Sequence, residues 1–303
     1  MNNGPLLFLG ILVTLAASFW SLLVAPQLQI GQQQPAILEA TGETYPTRRP
    51  GMAQQGAEVY RSLGCVECHS QQVRQTGVLF DVWLAEPGTN QTELAATLAR
   101  LAVPAAEATR AISHAPARLL VDLDLNHAQA VAAQITNGGA RAQAVLVNLG
   151  PDIQRGWGRR VTVTQDYLAD YPVQLGNSRI GPDLANYGAR SPGLPAILDH
   201  LYAPQKTAPG SMMPPYRFLF TKRKLREGEA AQGAPSAGSG QGVEPGYEII
   251  PKPEAEALAA YLMSLRAEVQ LKEAPVPNPP TATPPCTNQP TAIPAPVTPT
   301  AVK

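Results

Sequence analysis

The sequence predicts a mainly α protein with one N-terminal transmembrane helix and a small inserted α/β unit of β-α-α-β-α-β order. Three observations lead there. Residues 5–24 (PLLFLGILVTLAASFWSLLV) carry no charge, residues 51–70 and 253–266 carry helical apolar patterns, and residues 78–149 alternate short apolar strands with Ala-rich helices. The 303 residues allow about two domains. Charged residues are 15% of the chain, and basic and acidic counts are equal. A neutral chain argues against a nucleic-acid partner, whose affinity comes from neutralising phosphates, and against a polybasic membrane patch. Three cysteines cannot build a disulfide framework.

Taken in order, residues 1–25 read as a membrane anchor. At 1.5 Å per residue the uncharged run spans roughly 30 Å, the thickness of a bilayer core. Trp20 lies near its downstream end, where interfacial aromatics are common. A cleaved signal peptide is the rival reading; it is weakened by the lack of a basic segment before the run and by the run's length. The first basic residues after the span are Arg48 and Arg49, so charge does not orient it. Residues 26–50, rich in Gln and Pro, read as a stalk. Val59, Tyr60 and Leu63 mark one side of a helix beginning at Gly51. Residues 78–155 form the inserted unit, with strands at 78–86, 117–124 and 142–149 and helices at 91–102, 104–115 and 126–139. Residues 156–225 are rich in Gly, Pro, Tyr and Arg, and 229–246 reads as a flexible loop. Over 253–266 Pro253 opens a helix with acids in its first turn, and Leu258, Tyr261, Leu262 and Leu265 form its apolar stripe. The Pro/Thr-rich stretch 273–303 reads as a disordered tail.

Cys65-Val66-Glu67-Cys68-His69 is C-x-x-C-H, the attachment pattern of c-type haem. Two thiols one turn apart reach the two vinyl groups of one porphyrin, and the adjacent His offers a ring nitrogen to the iron. A zinc site would need two further Cys or His at matching spacing, and His114, His127, His200 and Cys286 form no such pair. A redox C-x-x-C pair would not need His69. His114 and His127 read as surface or capping residues. For the sixth position of the iron, Met is a soft ligand that raises the potential. Met1, Met52 and Met263 sit elsewhere, whereas Met212 and Met213 lie in the proline-bounded loop APGSMMPPYRFLF. Pro214 and Pro215 restrict Met213 to extended conformations, so only one of the two side chains faces the iron.

The segments GAEVYRSLGCVECHSQQVR (56–74) and DYPVQLGNSRIGPDLANYGARSPGLPAILDHLYAPQKTAPGSMMPPYRFLF (170–220) resemble the monohaem subunit II of cbb3-type cytochrome c oxidases. Arg179, Gly181, Pro182, Asp183 and Leu184 match one motif of that family, His200 its helix histidine, and Met213, Pro214 and Tyr216 its ligand loop. The resemblance covers about 150 residues and the single N-terminal span. It implies a class I-like cytochrome c domain in two segments, 51–77 and 156–272, carrying one covalent haem c. Cys65, Cys68, His69, Met213, Arg179 and Pro182 would be its cofactor-binding residues, with His69 and Met213 on the iron. Arg179 has two open roles, contact with a haem propionate or a packing salt bridge. The inserted block departs from the family and is similar in fold and pattern to the C-terminal domain of the ribosomal stalk protein, which carries no function with it.

The resemblance also implies an electron-transfer subunit of the inner membrane, single-pass, with its haem domain on the periplasmic side. It would pass single electrons to a haem-copper catalytic subunit, beside a dihaem cytochrome subunit and membrane lipid, while oxygen is reduced in another chain. Two other readings stand beside it: a membrane-anchored cytochrome c of another respiratory complex, and a haem ligand sensor with an open or weak sixth position.

Overall fold

The structure is a computed structural model that describes residues 3–29, 31, 33–39, 41–226 and 246–281. In chain order, α1 (Gly4–Phe19) continues through a π turn (Trp20–Val24) into α2 (Ala25–Gln29). Two short strands follow, β1 (Ala36–Ile37) and β2 (Thr44–Tyr45), then α3 (Gly51–Ser62) and a 3₁₀ turn (Cys65–Glu67). Next come β3 (Gly77–Glu86), α4 (Gln91–Arg100), α5 (Ala105–Ser113), β4 (Ala117–Leu123), α6 (Leu125–Asn137) and β5 (Arg141–Leu149). The rest is α7 (Pro151–Gln154), α8 (Tyr187–Arg190), α9 (Leu194–Tyr202), α10 (Pro204–Thr207), the hairpin β6 (Phe220–Lys224) and β7 (Tyr247–Pro251), and α11 (Pro253–Ser264).

The 26 residues of Gly4–Gln29 form one helix long and apolar enough to cross a membrane, a test that a signal sequence also passes. It runs four residues beyond the expected anchor. Ala25 N–H bonds back to Trp20 O, widening the turn before Pro26, which has no N–H of its own to give.

The chain divides into two compact units, Met1–Leu79 with Leu146–Pro277, and a second built on Phe80–Val145. In the first unit, α3 crosses α11 at Gly56. A Cβ there would lie 1.9 Å from Ala257 O, so only glycine lets the backbones meet. Beside the crossing, the rings of Tyr60 and Tyr261 sit 5.2 Å apart at 56°, an aromatic pair within contact range. Leu258, Tyr261, Leu262 and Leu265 are all buried and pack with Leu184, Ile197, Leu198 and Leu201. On the other helix Tyr60 is buried, while Val59 and Leu63 pack at the margin.

Three sequence expectations need correction here. The stretch 26–50 is not a plain stalk. β1 pairs with β2, Tyr45 Oη donates to Asp166 Oδ1 at 2.6 Å, and Arg49 pairs with Asp170 at 2.8 Å. These side-chain anchors seat the segment on the unit despite its loop-like composition. The first unit resumes at Leu146 rather than at 156. Asp152 is buried and accepts Arg74 N–H at 2.7 Å, and Thr76 N–H donates to Leu149 O at 2.8 Å, closing the neck where the chain leaves and returns. The tail also begins later than 273. Ala274 and Val276 are buried, and the carbonyls of Pro275 and Pro277 accept from Asn148 and Arg159 at 2.9 and 3.1 Å. The reading of 282–303, including Cys286, lies outside the described residues, as does most of 229–246.

In the second unit, a three-stranded sheet of order β4–β3–β5 carries α4, α5 and α6. β3 and β4 are antiparallel, in the register Phe80↔Leu123, Val82↔Leu120 and Leu84↔Ala117. Val82, Leu84, Leu94, Leu98, Leu119, Val131 and Ile135 form its core. Side chains of Asn90 and Asp124 cap α4 and α6 by accepting from Glu93 N–H and His127 N–H. His114 and His127 are both exposed.

Gly56→Ala should destabilise the chain by about 1–3 kcal/mol, the usual cost of overpacking. Gln55→Ala, on the exposed side of the same helix, should stay within about 0.5 kcal/mol. Urea titration of both variants checks this. A second prediction concerns the neck. Joining Thr76 to Gly150 through two glycines should leave a cooperatively melting helical protein. A join near Arg160 should melt lower, because it also deletes Asp152.

Candidate functional site

Gly64, at φ +69°, ends the run from α3 in the left-handed conformation and starts the turn that carries the thiols. Cys68 N–H and His69 N–H both bond back to Cys65 O, at 3.2 and 2.9 Å. Cys65, Cys68 and His69 therefore leave the backbone within one turn. Neither cysteine is in a disulfide.

A second segment runs alongside this turn and fixes it. Asn177 N–H donates to Val66 O, Gly181 N–H to Cys68 O and Leu184 N–H to Ser70 O, at 3.0, 2.9 and 2.8 Å, and Gln71 N–H returns a bond to Leu175 O at 2.9 Å. Asp183, fully buried, clamps the pair. Its Oδ2 accepts from Ser70 Oγ at 2.6 Å and Gln72 N–H at 2.7 Å, and its Oδ1 from Ala185 N–H at 2.9 Å.

This pairing places Pro182 O 2.8 Å from His69 Nδ1. A carbonyl only accepts, so Nδ1 carries the proton and Nε2 keeps its lone pair. Burial pushes the His69 pKa down, outweighing the Pro182 carbonyl and the Asp183 carboxylate that act the other way. The ring is a neutral imidazole. Gly181 lies flat against it, and a Cβ there would be 2.3 Å from Cε1. Pro182 thus acts through its backbone carbonyl, a role that no property of the proline ring advertises.

In the ligand loop the two methionines part company. Met212 is 78% exposed. Met213 is half-buried against the core of Tyr60, Leu184 and Leu258. Its N–H donates to Ser211 Oγ at 3.2 Å, and Tyr216 N–H pins the loop to α9 through Leu201 O at 2.8 Å. Tyr216 and Cys65 both pack against that same core. Burial lowers the His200 pKa, and its Nδ1 meets Thr207 Oγ1.

Arg179 makes ion pairs with two buried carboxylates. Its guanidinium reaches Asp152 Oδ2 at 2.5 Å, Asp183 Oδ2 at 3.7 Å and the Gln72 carbonyl. Both terminal nitrogens thus have protein partners in the structure. Asp152, its main partner, lies 27 residues away in a stretch the sequence reading gave to the inserted unit. Asp183 stood in the matched motif without a role. The only signal for one was an acidic residue in an otherwise apolar GPDLA run.

The residues fit a c-type haem. Two thiols share one turn, an oriented neutral imidazole follows at once, and a thioether faces the same core. Among the described residues no group of three or more His, Cys, Asp or Glu converges as a metal site, and that includes Cys65, Cys68 and His69.

Residues 149–237 match the family model of the cytochrome c oxidase mono-haem subunit, FixO. The matched stretch contains Arg179, Pro182, His200 and Met213, and the C-x-x-C-H turn lies outside it. The match spans 89 of the 303 residues and is a likeness over that stretch. No curated protein matches the chain.

Burial pushes the Cys65 thiol up to about 11 from an ordinary value of 9.0. In the haem-free chain, the stability this contributes should be present below pH 9 and lost as pH rises towards 11, because the unfolded thiol ionises first. Denaturation at stepped pH should show that decline, and Cys65→Ser should flatten it.

Proposed function

We propose that the chain is a membrane-anchored c-type cytochrome that passes single electrons to the catalytic core of a cbb3-type oxidase. The observation that carries this is the bond between His69 Nδ1 and Pro182 O, 2.8 Å long, in a chain whose next-door thiols complete C-x-x-C-H. In this reading Cys65 and Cys68 hold one haem c covalently, His69 binds the iron through Nε2, and Met213 is the sixth ligand. Bound haem supplies a one-electron iron couple.

The chain's own residues set the conditions for that couple. Pro182 fixes the imidazole and makes it a better donor, as partners of a ligand's second nitrogen do. Met213 offers a soft thioether that favours the reduced iron. Its side chain packs against the buried cluster that includes Leu184, Leu258 and Tyr60. Arg179, Asp152 and Asp183 position the loop that holds His69. The helix Gly4–Gln29 anchors the protein, and because haem c is attached outside the cytoplasm, the body lies on the periplasmic side. The partners are the haem-copper and dihaem subunits of the complex. The β-α-α-β-α-β order and the β4–β3–β5 sheet support the likeness of the inserted unit to the ribosomal stalk domain, as a fold without a borrowed function.

Separate substitutions of the two methionines test the ligand assignment. Met213→Ala should abolish the sulfur-to-iron charge-transfer band of the oxidised protein and lower its potential by a sizeable part of the roughly 0.8 V range that axial ligands span. Met212→Ala should leave both nearly unchanged. The reverse pattern would move the role to Met212. High-spin haem that binds carbon monoxide readily in the unaltered protein would favour the sensor reading.

A further inference from the structure

Residues 201–226 contain Lys206, Arg217, Lys222, Arg223, Lys224 and Arg226 and no acidic residue, in a chain with equal numbers of both signs. All six are exposed. A seventh cation joins them from the turn before α11. Lys252 Nζ donates to Phe218 O at 2.8 Å, and its backbone N–H to Leu219 O at 2.9 Å. Within β7 the one carboxylate is Glu248, which is buried and paired with Arg223, so that pair is neutral and the other cations supply the outward field. Glu227, Glu229 and Glu244 lie in the connection outside the described residues.

These cations are built into a shaped surface. Arg217 lies 5.5 Å over the Tyr202 ring and Lys222 4.1 Å over the Tyr247 ring. The exposed apolar side chains among them are Met212 and Phe218, 78% and 58% accessible, with the Phe218 ring 5.8 Å from that of Tyr216. They flank Met213 in the same loop. Phe, Met and Arg are residue types enriched at protein interfaces. A field of one sign beside a redox site raises the encounter rate with a partner of the other sign.

We propose that this basic face around the Met213 loop docks a carboxylate-rich face of a redox protein and is the surface at which electrons are exchanged. The proposal rests on the haem c reading. Anionic lipid headgroups would also attract these cations. The fixed placement of Arg217, Lys222 and Lys252 on rings and a carbonyl suits a partner of definite shape better than a fluid headgroup layer.

The test uses the full haem-loaded chain, reduced, in nanodiscs of zwitterionic lipid, with ferricyanide as anionic oxidant and polyglutamate as a carboxylate surface. Lys222→Glu/Lys224→Glu should slow oxidation about tenfold at low salt, with the gap closing at high salt. Lys272→Glu, an exposed control in the last described segment, should leave the rate unchanged. Polyglutamate should slow the unaltered protein and not the double variant. Equal rates and salt slopes, with normal low-spin spectra in both proteins, would overturn the proposal. So would loss of the polyglutamate effect in phosphatidylglycerol discs, which would assign the face to lipid. A chain whose spectrum shows no haem before mixing overturns the cytochrome reading, and the proposal with it.

Discussion

Asp183 is fully buried, and a carboxylate in that position persists only where its lone pairs are met. Ser70 Oγ, Gln72 N–H, Ala185 N–H and the Arg179 guanidinium meet them. Ser70 and Gln72 directly follow the C-x-x-C-H turn, and Arg179 and Ala185 belong to the stretch that pairs with it. Folding the carboxylate into the interior therefore means docking residues 175–185 on residues 66–72. Losing one side of such an arrangement typically costs about 3–5 kcal/mol. The position of Pro182 O over His69 is a consequence of that docking, as is the close lie of Gly181 on the imidazole.

The wider frame is the crossing of α3 and α11. Gly56 brings the helices together, Tyr60 and Tyr261 fill the space beside the crossing, and Tyr261 Oη exchanges hydrogen bonds with the Gln71 side chain. Gln71 O in turn accepts from Tyr167 Oη at 2.6 Å. The turn bearing His69 is thus held from the helix side by Gln71 and from the loop side by Asp183. Both attachments fall within three residues of the imidazole, so the ring's orientation is set by packing. A redox site needs this rigidity, because reorganisation at each electron transfer slows the step.

Much of this was legible in the sequence where chemistry sits in short spacing. The C-x-x-C-H turn, the stripe of Leu258, Tyr261, Leu262 and Leu265, and the alternation of strands and helices over 78–149 all show locally. Met213 was separable from Met212 because two prolines restrict it. What was not legible depends on partners far away in the chain. Nothing in the composition of 26–50 tells that Tyr45 reaches Asp166, 121 residues on. Nothing in a Pro-rich stretch tells that Pro275 O meets Asn148. Arg179 matched a motif, yet its ion-pair partner is Asp152, which periodicity had grouped with the preceding strand.

The central claim is that Cys65 and Cys68 carry one haem covalently beside an imidazole oriented by Pro182. The direct measurement is extraction of the purified chain with acidified butanone, followed by the pyridine haemochrome spectrum of each phase. The account predicts one haem per chain, retained with the polypeptide in the aqueous phase and showing the spectrum of a thioether-linked porphyrin. Haem passing into the organic phase, or a chain matured in a competent host without haem, would contradict it.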